Sequence, residues 1–125
     1  MVFGVGMDLI EVARIDKQVS AGRRFVDRIF TEHEISYCQG KKNSAQNYAA
    51  RFAAKEAFLK AVGIGWQKGL AFKDVEVVNN SLGKPELVLH GKALELVEKN
   101  HITNIQVSLT HLKEMAGAVV VLETG

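Results

Sequence analysis

The spacing of apolar and polar residues divides this chain into elements. Val2 to Ile10 is nearly continuous in apolar character and predicts a buried strand. Gly4 and Gly6 inside it mark a bulge, or a close approach by another chain or a ligand. From Glu11 to Ser20 the period lengthens to that of a helix, with Val12, Ile15 and Val19 on one face and Arg14 and Lys17 away from it. Phe25, Val26, Ile29 and Phe30 form a second short amphipathic turn. Thr31 and Glu34 have the spacing of a capping box, which starts a helix ending near Gly40. Lys41 to Ser44 is a polar loop, with Ser44 placed to cap the next helix.

That next helix, Ala49 to Gly65, breaks the amphipathic pattern. It is rich in alanine and strong helix formers, and only Arg51, Lys55, Glu56 and Lys60 carry charge. At roughly 100° per residue, Arg51 and Lys55 fall on one side, and Glu56 and Lys60 face each other on another. Phe52, Phe58, Leu59 and Val62 lie between the pairs, so no clean polar face is left. Two surface ion pairs on an ordinary helix would fit this. So would a mostly buried helix that carries ionic groups into a cleft, where each charge needs a partner, a metal or a ligand.

Gly63 to Leu70 is a glycine-punctuated loop. Asp74 to Asn79 alternates as a strand, Asn79 to Gly83 is a turn, and Glu86 to His90 is a strand that tolerates Pro85 at its start. Ala93 to Asn100 is a short helix. Asn104 to Thr110 alternates, with Ile105, Val107 and Leu109 inward and Gln106, Ser108 and Thr110 outward. Ala116 to Leu122 is an apolar strand. The order β, three helices, β, β, α, β, β predicts an α+β domain with helices packed on a mostly antiparallel sheet. No repeat, low-complexity stretch or linker interrupts it.

Composition adds limits. A chain of 125 residues predicts one domain spanning 1–125. A net charge of +2 does not point to nucleic acid, although residues 1–60 hold ten Lys or Arg against seven Asp or Glu. A basic N-terminal half suits an acidic partner, and random surface scatter would give the same count. Cys38 is the single cysteine, read as a partly buried small apolar side chain, so no internal disulfide can form. No apolar run reaches membrane-span length, no leader is visible, and the cytoplasm is the expected compartment.

Asp8 sits in apolar company, where a carboxylate needs a cation or several donors, unless it ends the strand and caps the next helix. Glu56 is a second acid. Two carboxylates from different elements can hold magnesium, with water and phosphate oxygens completing the octahedron. Lys60 can contact phosphate as a point charge or serve only in a salt bridge. Gly63 and Gly65 can expose backbone N–H groups to phosphate, or simply end the helix. His111 closes a strand whose polar side holds Ser108 and Thr110, and can donate to a phosphate or sugar oxygen. His33, His90 and His101 show no metal-ligand spacing.

In order along the chain, these signals resemble one family. GVGMDLIEVARI at Gly4 to Ile15, FTEHE at Phe30 to Glu34, RFAAKEAFLKAVGIG at Arg51 to Gly65, FKD at Phe72 to Asp74, GKP at Gly83 to Pro85 and SLTH at Ser108 to His111 are similar to the motifs of the holo-acyl-carrier-protein synthases, the small phosphopantetheinyl transferases. The resemblance covers essentially the whole chain. Leu112 departs from it, since relatives commonly carry a small polar residue there. The resemblance implies a homotrimer with active sites between subunits. It implies magnesium-dependent transfer of 4′-phosphopantetheine from coenzyme A to a serine of apo-acyl carrier protein, in support of fatty acid biosynthesis. In that scheme Asp8 and Glu56 hold magnesium, Glu56 or a water held at the metal takes the serine proton, and Lys60 stabilises the phosphate or the leaving group. Gly63, Gly65, Gly83, Lys84, Pro85 and His111 would bind the nucleotide end of coenzyme A. Arg14 and Arg24 would face the acidic helix of the carrier, with Phe25 as an apolar contact. The residues alone also allow a metal-dependent phosphohydrolase using the same acid pair, or a non-catalytic nucleotide- or acyl-group-binding module.

Overall fold

The computed structural model describes residues 1–65 and 69–125, so Trp66, Gln67 and Lys68 of the Gly63–Leu70 loop lie outside the described residues. The elements run β1 (Val2–Glu11), α1 (Val12–Ser20), α2 (Arg23–Ile29), α3 (Glu32–Gln39), α4 (Ser44–Val62), a 3-10 turn (Phe72–Asp74), β2 (Val75–Asn79), β3 (Pro85–Leu89), α5 (Gly91–Lys99), β4 (Ile102–His111) and β5 (Met115–Thr124). The expected α+β class holds. Four helices rather than three precede β2, because the amphipathic turn at Phe25 to Phe30 is itself a helix, α2.

Every strand pairing among the described residues is antiparallel, but the strands split into two sheets. One has the order β1-β5-β4, and the other is the β2–β3 hairpin. The alternation read from Asn104 to Thr110 is observed on β4, where Val107 is buried, Ile105 and Leu109 are half-buried, and Gln106, Ser108 and Thr110 are exposed.

Helix α4 crosses the inner face of the larger sheet. Ala53, Ala57 and Ala61, spaced four residues apart, are buried on it. A Cβ added to Gly6 would lie 1.9 Å from the Ala57 carbonyl oxygen, and one added to Gly4 would lie 1.9 Å from that of Ala61. The glycines therefore mark a close approach, and the element that approaches is α4 of the same chain. A register shift between Val2 and Gly4 adds a small irregularity at the start of the strand.

Strand β1 is not buried on both faces, contrary to its apolar pattern. Gly6 and Ile10 point into the core, while Val5, Met7 and Leu9 are 59%, 70% and 66% exposed on the outer face. Among the described residues no element covers that face, so continuous apolar character here does not mean burial within one subunit. Asp8 does not cap α1. It pairs with Ala118 inside the strand, which runs on to Glu11. Ser44 is not a cap either; Asn43 occupies that position and α4 starts at Ser44.

The capping box is present, with Thr31 Oγ1 accepting from the Glu34 amide and Glu34 Oε1 accepting from the Thr31 amide. Glu34 also meets Lys55 of α4 in the core, Nζ to Oε1 at 2.9 Å, and both side chains are fully buried. Lys55 Nζ donates further to the carbonyls of Phe72 and Val75, and Glu34 Oε2 accepts from the Val77 amide at 2.8 Å. All three ammonium protons thus have acceptors. Burial pulls the Lys55 pKa below the usual lysine range, and the Glu34 carboxylate opposes that shift. Arg51 is buried as well, stacked 4.0 Å from the Tyr37 ring centroid. Cys38 is fully rather than partly buried, and that burial raises its thiol pKa to about 12.

Gly6→Ala should destabilise the protein by about 3 kcal/mol or block folding, because backbone rather than a movable side chain fills the space; an unchanged thermal melt would contradict the close approach. Lys55→Met should cost about 3–5 kcal/mol by leaving Glu34 buried without its cation, and adding Glu34→Gln should restore a good part of that loss. Urea denaturation of the single and double variants measures both effects.

Candidate active site

The glycine–alanine seam has a consequence two residues further along β1. Gly4, Gly6 and Asp8 share the inner face of the strand, since side chains alternate. Because α4 rests directly on Gly4 and Gly6, Asp8 is carried to the side of that helix. Lys60 Nζ reaches the Asp8 carboxylate Oδ1 at 3.1 Å and the Met7 carbonyl oxygen at 3.1 Å. The Asp8 side chain is 16% exposed and that of Lys60 56%, so this pair stands at the mouth of a site rather than in the core.

Asp8 and Glu56 line one cavity of about 310 Å³, together with Arg14, Phe25 and Phe52. The two acids, 48 positions apart in sequence, are therefore brought together within one subunit. Among the described residues no group of three or more His, Cys, Asp or Glu could hold a metal. Two carboxylates on an open cavity match the donor set of magnesium, which takes few protein ligands and keeps room for water and phosphate oxygens.

The basic face also converges here. Arg14 lines the same cavity on the α1 side, and Arg24 and Arg28 line an adjoining groove of about 250 Å³. Phe25 belongs to both, so the two hollows adjoin, with Arg14 in one and Arg24 and Arg28 in the other. Its ring lies 6.3 Å from that of Phe52, which in turn stacks at 5.5 Å on Phe72.

Other predicted residues lie elsewhere. Gly63 closes α4 in the left-handed conformation, φ 88°, and its amide donates to the Leu59 carbonyl. No described atom outside its chain neighbours lies within 4 Å of a Cβ added to Gly65. Gly83, Lys84 and Pro85 form the β2–β3 turn and the start of β3, and His111 is exposed at the end of β4. None of these lines the cavity of Asp8 and Glu56. Leu112 is exposed where the chain turns from β4 into β5.

Sequence reasoning missed Phe52 and Gln18 as cavity-lining residues. Phe52 had a usable signal, since it stands one helical turn before Glu56 on the same face. The Met7 carbonyl had none, because a backbone acceptor carries no residue signature.

Residues 4–116 match the family described as the 4′-phosphopantetheinyl transferase superfamily. The holo-[acyl-carrier-protein] synthase of Geobacter sulfurreducens is 53% identical over 98% of each chain. The chain belongs to this family. Phosphopantetheinyl transfer is accordingly its class of reaction, and it is an enzyme. Solved structures agree with the fold. A holo-(acyl-carrier-protein) synthase from Bacillus anthracis in complex with CoA (3′,5′-ADP) superposes with a TM-score of 0.82 at 39% identity, over 100% of this chain and 99% of that one. The holo-[acyl-carrier-protein] synthase of Neisseria meningitidis gives 0.89 at 32% identity, over 99% and 100%. No helix among the described residues is long and apolar enough to cross a membrane.

Proposed function

We propose that this chain moves the 4′-phosphopantetheine group of coenzyme A onto a serine of apo-acyl carrier protein, leaving adenosine 3′,5′-bisphosphate. The single observation that carries the reading is the convergence of Asp8 and Glu56 on one cavity that Arg14 also lines, with Lys60 held on Asp8. Asp8 and Glu56 are the residues that would hold magnesium, which when bound neutralises charge on the coenzyme A diphosphate as the phosphoryl group transfers. The serine oxygen forms a bond to the β-phosphorus as the bridging P–O bond breaks. Glu56, or a water beside it, accepts the serine proton. Lys60, oriented by Asp8 and the Met7 carbonyl, faces the phosphate charge of the departing nucleotide.

Arg14, Arg24 and Phe25 would receive the acidic helix of the carrier. Gly63 and Gly65, and with them Gly83, Lys84, Pro85 and His111, would meet the nucleotide end. That last group does not line the acid cavity of its own subunit. A homotrimer with sites between subunits supplies it from a neighbour, and the exposed Val5, Met7 and Leu9 face of β1 supports this arrangement. Residues 1–125 work as one domain in this scheme. The cytoplasm is the compartment that suits it, since a free thiol such as Cys38 stays reduced there.

The deciding test is mass spectrometry of apo-acyl carrier protein after incubation with this protein, coenzyme A and magnesium. Gain of one phosphopantetheine group supports the reading, whereas carrier-independent hydrolysis of coenzyme A would replace it with a phosphohydrolase. Glu56→Gln should lower magnesium-dependent turnover by roughly 10²-fold or more with an unchanged circular dichroism spectrum. Near-normal activity in that variant would remove Glu56 from the metal site. Arg14→Ala should raise KM for the carrier by roughly five- to tenfold with little change for coenzyme A, and the effect should shrink as salt rises. Equal losses for both substrates would count against a docking face. Sedimentation equilibrium should give a trimer at assay concentration, and an active monomer would contradict shared sites.

A further inference from the structure

Helix α4 turns Glu56 toward the acid cavity, Lys60 to Asp8, and Arg51 to another side, where Arg51 makes a different kind of contact. Arg51 is 1% exposed, and its guanidinium stacks on Tyr37 and donates from Nη2 to Asn79 Oδ1 at 2.6 Å. Asn79 ends β2, and its Nδ2 donates onward to the Gly83 carbonyl at 2.9 Å. Gly83 holds φ +85°, which only glycine adopts readily, and Lys84 follows it.

The rest of the turn is held from within. Asn80 Oδ1 accepts from the Leu82 and Lys84 amides at 2.9 and 3.0 Å, and the Asn80 and Lys84 backbones pair across the turn. Asn80 therefore sets the shape of the loop, whereas Asn79 ties it to α4. Stability alone does not explain the choice. Arg51 Nε is buried with no hydrogen-bond partner among the described residues, and an apolar side chain of similar volume would avoid that penalty. A charged, hydrogen-bonded link fixes direction where an apolar contact would fix only proximity.

We propose that Asn79 is a positioning residue for the nucleotide end of coenzyme A. Through Arg51 it fixes the Gly83–Pro85 turn on α4 of its own subunit, and so sets how the turn is presented to the neighbouring subunit's acid site. This rests on the reading above that the turn meets the nucleotide. Releasing the turn makes binding bear the cost of ordering it and leaves the phosphoryl-transfer step alone.

The test uses Asn79→Ala, Asn79→Asp and Lys84→Ala in the full-length protein. Asn79→Asp keeps an acceptor for Arg51 but cannot donate to Gly83, so it breaks only the second link. Measured are kcat, KM for coenzyme A, KM for the carrier, and calorimetric Kd for adenosine 3′,5′-bisphosphate. Both Asn79 variants should raise KM for coenzyme A and the bisphosphate Kd by about tenfold, the scale of one hydrogen bond to a charged group, with kcat and carrier KM unchanged. If Lys84→Ala weakens bisphosphate binding and the Asn79 variants do not, the positioning role is overturned and the assignment of the turn stands. If Lys84→Ala and both Asn79 variants all leave binding intact, the assignment of the turn fails as well. A fall in kcat, or a rise in carrier KM equal to that for coenzyme A, would mark Asn79 as merely structural and overturn the proposal.

Discussion

The buried Lys55 ammonium is the contact on which the other elements converge. It sits on the middle of α4 and meets a carboxylate from α3, a carbonyl from the 3-10 turn and a carbonyl from the start of β2. The same carboxylate closes the α3 capping box and accepts from the Val77 amide of β2. Four separate segments are thus registered against one point charge and its counterion. Such a pair need not add net stability over a well-packed apolar core. It does punish misregister, because any shift leaves a buried charge or amide without a partner.

The neighbouring residue, Glu56, is turned about 100° away by the helix, and that rotation separates structure from chemistry. On one side of α4, Arg51 and Lys55 grip the small hairpin through buried polar contacts. On the other, Glu56 lines the cavity beside Asp8, and Lys60 pairs with Asp8. A single helix therefore anchors both the Glu56 side of the acid site and the β2–β3 turn of its subunit. The absence of a polar stripe on α4 follows from the same division, since neither set of charges serves mainly to meet bulk water.

Delivery of Asp8 depends on residues with almost no side chain. Gly4 and Gly6 let the backbone of α4 lie directly on β1, against Ala57 and Ala61. Larger residues would lift the helix off the sheet and move Glu56 and Lys60 away from Asp8. The outer face of the same strand carries Val5, Met7 and Leu9, apolar and open. One strand thus combines an inner face shaped for the acid site with an outer face suited to a neighbouring subunit.

Much of this was legible in the sequence, and for local reasons. Helix and strand periods, the Thr31–Glu34 box and the ordered motifs from Gly4 to His111 are short-range patterns, so they identified the elements, the class and the family before any coordinates. They also singled out Asp8 and Glu56 as acids in unusual company. What they could not supply was distance. That Glu34 rather than a ligand answers Lys55, that Lys60 turns to Asp8, and that Asn79 links Arg51 to Gly83 are pairings of residues 21 to 52 positions apart. Nor could the apolar run of β1 reveal which of its faces would stay open. Residue type and spacing determine how a segment folds on itself, whereas the partner of a charge and the cover of a face are decided only when segments pack.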